Sequence, residues 1–118
     1  MWDKEKSMKL IYDTGLIPII RVETDDIAFK VADAFLEAGV NIIEVTMSVP
    51  GAVEVVKKLV EQFGNKVLIG TGTVLDGKMA REVIKAGSHF IVSPNYSKDL
   101  IDTAHEFSKP IIPGALTP

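Results

Sequence analysis

Asn41-Ile42-Ile43-Glu44-Val45-Thr46-Met47 reads as a buried strand carrying one carboxylate. A lone carboxylate in an apolar strand costs several kcal/mol to desolvate unless something compensates it. Near the C-terminal end of a parallel strand, that compensation is most often an active site. There a carboxyl group with a shifted pKa can move protons. The plainer alternative is a strand-end carboxylate that pairs with a nearby arginine or caps the following helix.

Four more apolar runs flank this one: Leu16-Ile17-Pro18-Ile19-Ile20, Lys66-Val67-Leu68-Ile69-Gly70, His89-Phe90-Ile91-Val92 and Pro110-Ile111-Ile112. Nearly continuous apolarity predicts strands covered on both faces, as in parallel sheets. The runs begin roughly 25 residues apart, about one strand plus one crossover helix. Between them the apolar residues fall at helical spacing. Ile27, Val31, Phe35 and Ala38 share one face; Val53, Val56, Val60 and Phe63 another. Met79, Val83 and Ala86, then Leu100, Ala104 and Phe107, mark the third and fourth helices. These stripes read as core packing.

The punctuation agrees. Thr24, Asp76 and Ser97 suit N-caps, Pro50 suits a first helical position, and Gly39, Gly64 and Gly87 suit helix stops. An extra N-terminal segment, residues 1–14, carries a helix over about 3–12. Residues 1–118 therefore form a single domain of alternating strands and helices, an α/β fold with a parallel sheet. Two architectures compete. A five-stranded flavodoxin-like sheet fits the length. A (β/α)8 barrel needs at least ~200 residues, so this chain would supply a partial barrel of about five strands.

Composition narrows the function classes. The net charge of −3 comes with scattered Lys and Arg, so no basic stripe points to nucleic acid. There are no cysteines and only two separated histidines, which supports neither disulfides nor a transition-metal site. Every apolar run is far shorter than the ~20 residues that span a bilayer, and no leader-like apolar region follows the charged start. The expected setting is the cytoplasm.

In either architecture function lies at the strand C-termini. The polar residues there are Arg21, then Glu44, Thr46 and Ser48, then Gly70-Thr71-Gly72-Thr73, then Ser93-Pro94-Asn95-Tyr96, then Gly114 and Thr117. One cation, one carboxylate, several hydroxyls and backbone opened by glycine suit a small anionic or carbonyl substrate. Arg21 could bind a carboxylate or phosphate bidentately, or simply pair with Glu44. The glycine pair at 70 and 72 fails as a dinucleotide loop, since Leu75 stands where a third glycine belongs. His89 starts the fourth strand, on the opposite face, and reads as structural. No serine or threonine has a histidine partner for a hydrolytic triad. No lysine stands at a strand C-terminus, so a buried imine-forming lysine is not evident.

Glu44-Val45-Thr46, Gly70-Thr71-Gly72-Thr73-Val74, Phe90-Ile91-Val92-Ser93-Pro94 and Ile112-Pro113-Gly114-Ala115-Leu116-Thr117-Pro118 resemble, in order and spacing, the 2-dehydro-3-deoxy-6-phosphogluconate (KDPG) and 4-hydroxy-2-oxoglutarate aldolase family. Ile17-Pro18-Ile19-Ile20-Arg21 resembles its opening strand. The resemblance implies a (β/α)8 barrel, a trimer, and a class I aldolase without metal or cofactor. Such an enzyme cleaves a 2-keto-3-deoxy (phospho)sugar acid to pyruvate and an aldehyde through a lysine Schiff base. It also implies Glu44 as proton shuttle, Thr73 and Pro94 in the pyruvate pocket, and Arg21 near the substrate carboxylate. Two departures stand out. Some members carry an arginine where Ser48 stands, and the family's lysine and phosphate site belong to strands beyond the fifth. The expectation is the N-terminal portion of an aldolase, inactive alone. The alternatives are a non-catalytic flavodoxin-like domain for small anions or assembly, and another phosphate-handling barrel.

Overall fold

The computed structural model describes residues 1–118. The order is α1 (Lys4–Thr14), β1 (Ile19–Ile20), α2 (Asp25–Glu37), β2 (Ile42–Thr46), α3 (Ala52–Phe63), β3 (Leu68–Gly72), α4 (Gly77–Lys85), β4 (Phe90–Ser93), α5 (Lys98–Glu106) and β5 (Ile111–Pro113). All neighbouring strands are parallel, and their spatial order is β1-β2-β3-β4-β5. Right-handed crossovers between strands in sequential order place every crossover helix on one side of the sheet. The helices do pack side by side in order, α2 on α3, α3 on α4 and α4 on α5. A flavodoxin-like sheet, with its order 2-1-3-4-5 and helices on both faces, is excluded. The sheet is a partial barrel.

Alternation along the strands divides the core. Outward residues Ile20, Ile43, Val45 and Ile69 pack under α2 and α3 with Ala28, Ala32, Val56 and Leu59. Ile91 packs under α4 and α5 with Val83, Ile84 and Leu100. Inward residues Ile42, Leu68 and Phe90 form a third cluster, closed at the strand N-termini by Trp2, Leu10 and Ile11 of the N-terminal segment. Asp3 caps α1 by accepting from the Lys6 N–H, and Gly15 ends it at φ 70°. Trp2 is anchored by its indole N–H, which donates to the Gly64 carbonyl at 2.8 Å.

Coverage on both faces holds for the middle strands only. β2 and β3 are buried throughout, whereas Ile19 on β1 and Ile112 on β5 are 52% and 38% exposed. These are the two open edges, which have a neighbour on one side alone.

Several boundaries shift from the sequence reading for local reasons. The first run yields a two-residue strand because Pro18 has no N–H for the ladder. Its carbonyl still accepts from the Glu44 N–H at 2.9 Å. β3 runs on through Thr71 and Gly72, two residues past the apolar run that ends at Gly70. Pro50 is not the first helical residue; Gly51, at φ 64°, is the cap and Ala52 begins α3. Thr24, Asp76 and Ser97 do cap α2, α4 and α5, each accepting from the N–H three residues on. Gly39 and Gly87 stop helices at positive φ, but Gly64 has right-handed φ and ψ and uses none of glycine's freedom. The buried line of α2 is Ala28 and Ala32, flanked by Phe29, Val31 and Phe35, while Ile27 is exposed. Small residues at 28 and 32 let the helix axis approach the sheet, which turns Ile27 outward.

Candidate active site

Glu44 lies on the inward face of β2, two residues after Ile42 and two before Thr46. It is 6% exposed. Its register partner on β3 is Gly70, and that of Thr46 is Gly72. Both glycines are inward-facing, and each is there for space. A Cβ built on Gly70 would sit 2.2 Å from Cζ of Phe90, and one on Gly72 would sit 1.6 Å from Oε1 of Glu44. The missing side chains of β3 therefore make room for the Phe90 ring below and the Glu44 carboxylate above.

No side chain or backbone group donates to the Glu44 carboxylate, yet no buried side-chain oxygen in the protein is both sealed and unpartnered. The Glu44 oxygens thus face the open interior of the partial barrel. Burial pushes the carboxyl pKa up, and the positive charge of Arg21 partly offsets this. Desolvation disfavours the charged form, so Glu44 can hold and release a proton closer to neutrality than an exposed glutamate.

The sequence left open whether Arg21 pairs with Glu44. It does not: Arg21 takes part in no ion pair, and it acts on Glu44 only through its field. The exposed guanidinium borders a cavity of about 200 Å³ together with Ser48 and Glu23.

Thr73 follows β3 with φ 59°, a left-handed conformation that a β-branched residue rarely adopts. Its hydroxyl is 3.0 Å from that of Thr46, which is fully buried. The Thr46 hydroxyl is also 3.1 Å from that of Ser48. Pro94 is exposed at the end of β4, one strand further along the rim. The Pro94 carbonyl is the closest neighbour of Gly114, where an added Cβ would stand 2.2 Å from it. Arg21, Glu44, Thr73 and Pro94 therefore occupy four consecutive strand ends on one rim. The reading from sequence placed Thr46 among the rim residues without a role. Its signal is the period of two that sets it on the face of Glu44.

Among the lysines, Lys66 and Lys109 precede β3 and β5 on the opposite face. Lys78 and Lys98 open α4 and α5 on the rim side but are exposed. An imine-forming lysine needs a depressed pKa. Asp25 and Asp102 instead raise those of Lys58 and Lys98.

His89 is structural. Its Nδ1 accepts from the Ile69 N–H at 2.9 Å, and burial with nearby Lys109 lowers its pKa to about 4. No three acidic, histidine or cysteine side chains converge as a metal cluster, and no helix is long and apolar enough to cross a membrane.

Comparison with known proteins agrees with this geometry. The family model described as "Aldolase: KDPG and KHG aldolase" matches residues 8–118. The KHG/KDPG aldolase of Escherichia coli K12 is 33% identical over 112 residues, covering 94% of this chain and 52% of the relative. A crystal structure of the KDPG aldolase of Legionella pneumophila, with pyruvate captured as a covalent carbinolamine intermediate, aligns with a TM-score of 0.80 at 31% identity. That alignment covers 86% of this chain and 48% of the other. The corresponding aldolase of Zymomonas mobilis ZM4, solved with 3-phosphoglycerate, aligns with a TM-score of 0.82 at 30% identity, covering 98% and 53%. The chain spans about half the length of the curated relatives it matches.

Proposed function

The chain belongs to the KDPG and KHG aldolase family, and from that premise we propose that it forms the proton-transferring part of a class I aldolase. The substrate class is a 2-keto-3-deoxy (phospho)sugar acid or a 4-hydroxy-2-oxo acid, cleaved to pyruvate and an aldehyde. The observation that carries this reading is Glu44. It is a buried carboxylate with no protein donor, open to the barrel interior, with its pKa raised.

A lysine contributed from outside these 118 residues forms an imine with the keto carbon. Glu44, as carboxylate, takes the proton of the C4 hydroxyl as the C3–C4 bond breaks. The electron pair passes into the imine as an enamine, and the aldehyde leaves. Glu44, now the acid, returns the proton to C3, and water releases pyruvate. A group that accepts and then donates works best with a pKa near the working pH, which burial favours here. Arg21, Thr73 and Pro94 line the keto-acid pocket, and no metal is required. Without a suitable lysine at the five strand ends, the 118-residue chain is inactive alone. The open edges at β1 and β5 favour assembly. We place the working enzyme in the cytoplasm as a homo-oligomer, a trimer by family resemblance.

The test joins these residues to the C-terminal half of the E. coli relative. The chimera should release pyruvate from 2-dehydro-3-deoxy-6-phosphogluconate and take up a borohydride-trapped pyruvate adduct. Glu44→Gln should keep the adduct and lose about 10²-fold or more in cleavage. Equal cleavage by that variant overturns the role of Glu44. A pyruvate adduct on the 118-residue chain alone overturns the external nucleophile.

A further inference from the structure

His89 keeps one ring nitrogen that the fold does not use. Its Nδ1 accepts the Ile69 N–H at 2.9 Å, so Nδ1 carries no proton. A neutral imidazole then holds its proton on Nε2, which is a donor. The pKa of about 4 keeps the ring neutral at pH 7. No protein group accepts from Nε2, yet no buried side-chain nitrogen in the protein is both sealed and unpartnered. The Nε2–H therefore reaches open space.

That space is a cavity of about 390 Å³ at the strand N-termini, the opposite end of the sheet from the Glu44 rim. Its walls include Trp2, Val60, Asn65, His89 and Lys109, and no acidic side chain. The Trp2 indole is fixed by its bond to the Gly64 carbonyl, and its ring centroid lies 6.4 Å from that of His89. Lys109 is half-buried and takes part in no ion pair. Its charge is near enough to His89 to help lower the imidazole pKa. Small-molecule sites are concave, largely apolar and of roughly 300–1,000 Å³, with a few polar groups that converge on the ligand. An N–H donor beside an unpaired ammonium selects an acceptor of negative charge. An indole and a valine beside them select an apolar body over a fully hydrated ion.

We propose that this cavity is a binding site for a small carboxylic acid with an apolar body. Its carboxylate is held by His89 Nε2–H and Lys109, and its body lies against Trp2 and Val60. The site is separate from the catalytic rim, and the proposal stands on this geometry alone, whatever the substrate at Glu44.

The test is an NMR titration of the 118-residue chain at pH 7 and constant ionic strength with sodium benzoate and, separately, sodium acetate and sodium phosphate. Benzoate should bind with a Kd on the order of 1 mM. It should give saturable shifts at the indole N–H of Trp2, the only tryptophan, and at His89 Nε2. The Nδ1 resonance should stay in place, because its bond to Ile69 is kept. Acetate, which lacks the body, should bind about tenfold more weakly. Lys109→Met, which keeps the stem and loses the charge, should weaken benzoate binding about threefold to fivefold. Lys57→Met, the same change of charge at an exposed position of α3 outside the cavity, should leave it unchanged. No saturable shift at Trp2 with benzoate, or equal weakening by the two lysine variants, overturns the site. Acetate or phosphate binding as tightly as benzoate overturns the assignment of an apolar carboxylic acid.

Discussion

Alanine at Gly70 and alanine at Gly72 should have very different effects, although they lie two residues apart on one face of β3. At Gly70 the new Cβ would stand 2.2, 2.3 and 2.4 Å from three carbons of the Phe90 ring, against the 3.4 Å at which ordinary contact begins. The ring must move by about 1.2 Å, and it is fully buried with Ile42 and Leu68 in the inner cluster. Overpacking of this kind costs about 1–3 kcal/mol. At Gly72 the clash is closer, 1.6 Å, but it is with Oε1 at the free end of Glu44. Rotation about the terminal torsions relieves it for about 0.5–1.5 kcal/mol. The loss of glycine's unfolded-state freedom returns about 0.4–1 kcal/mol in both variants. Net, Gly72→Ala should lie within about 1 kcal/mol of the parent, and Gly70→Ala should lose more, about 1–2 kcal/mol. Urea unfolding followed by far-UV circular dichroism measures both. Pairing each alanine with removal of its obstacle, Phe90→Leu or Glu44→Ala, should show coupling of about 1 kcal/mol or more for the Gly70 pair and less for the Gly72 pair. Equal losses for the two alanines, or strict additivity of Gly70→Ala with Phe90→Leu, would refute the packing argument.

Because burial raises the Glu44 pKa, its folded state holds the proton more tightly than the unfolded state does. Its contribution to stability is present in acid and lost as pH rises through the folded pKa. Glu44→Gln should therefore be more stable than the parent at pH 7, with the gap closing on acidification, as read from urea midpoints at pH 4 and 7. His89 has the opposite sign, since its folded pKa is lowered from 6.5 to about 4. Stability should be full above pH 6.5 and fall by up to about 3 kcal/mol as pH drops from 6.5 towards 4. His89→Asn, which retains an acceptor for the Ile69 N–H, should flatten that slope. In the chimera used for cleavage, Gly72→Ala should lower kcat about 10²-fold while the chain stays folded, because it displaces the Glu44 carboxylate by more than 1 Å. Asp76→Ala, which removes the cap that accepts from the Met79 N–H, should cost about 1 kcal/mol in thermal unfolding.

Local signals made much of the fold legible. Glu44 stood out because a carboxylate in an apolar run is rare, and the cap residues Thr24, Asp76 and Ser97 act within their own turn. His89 was readable as structural from its place at a strand start. The α2 face was not readable to the residue, since Ala28 and Ile27 are both apolar and only the distance between helix and sheet selects one. Nor could sequence decide between Arg21 binding a ligand and Arg21 pairing with Glu44, because that depends on where two strand ends point.

What the sequence determined by itself is the alternation of strands and helices, the parallel sheet, and the rim where Arg21, Glu44, Thr73 and Pro94 emerge. These follow from periodicity and caps, which are interactions between residues close along the chain. The tertiary structure alone decided the sequential strand order, the role of Gly70 and Gly72 as space for Phe90 and Glu44, and the hydroxyl chain through Thr46. Those depend on register between strands about 25 residues apart, and a period of two does not specify which residue of one strand lies opposite which residue of the next.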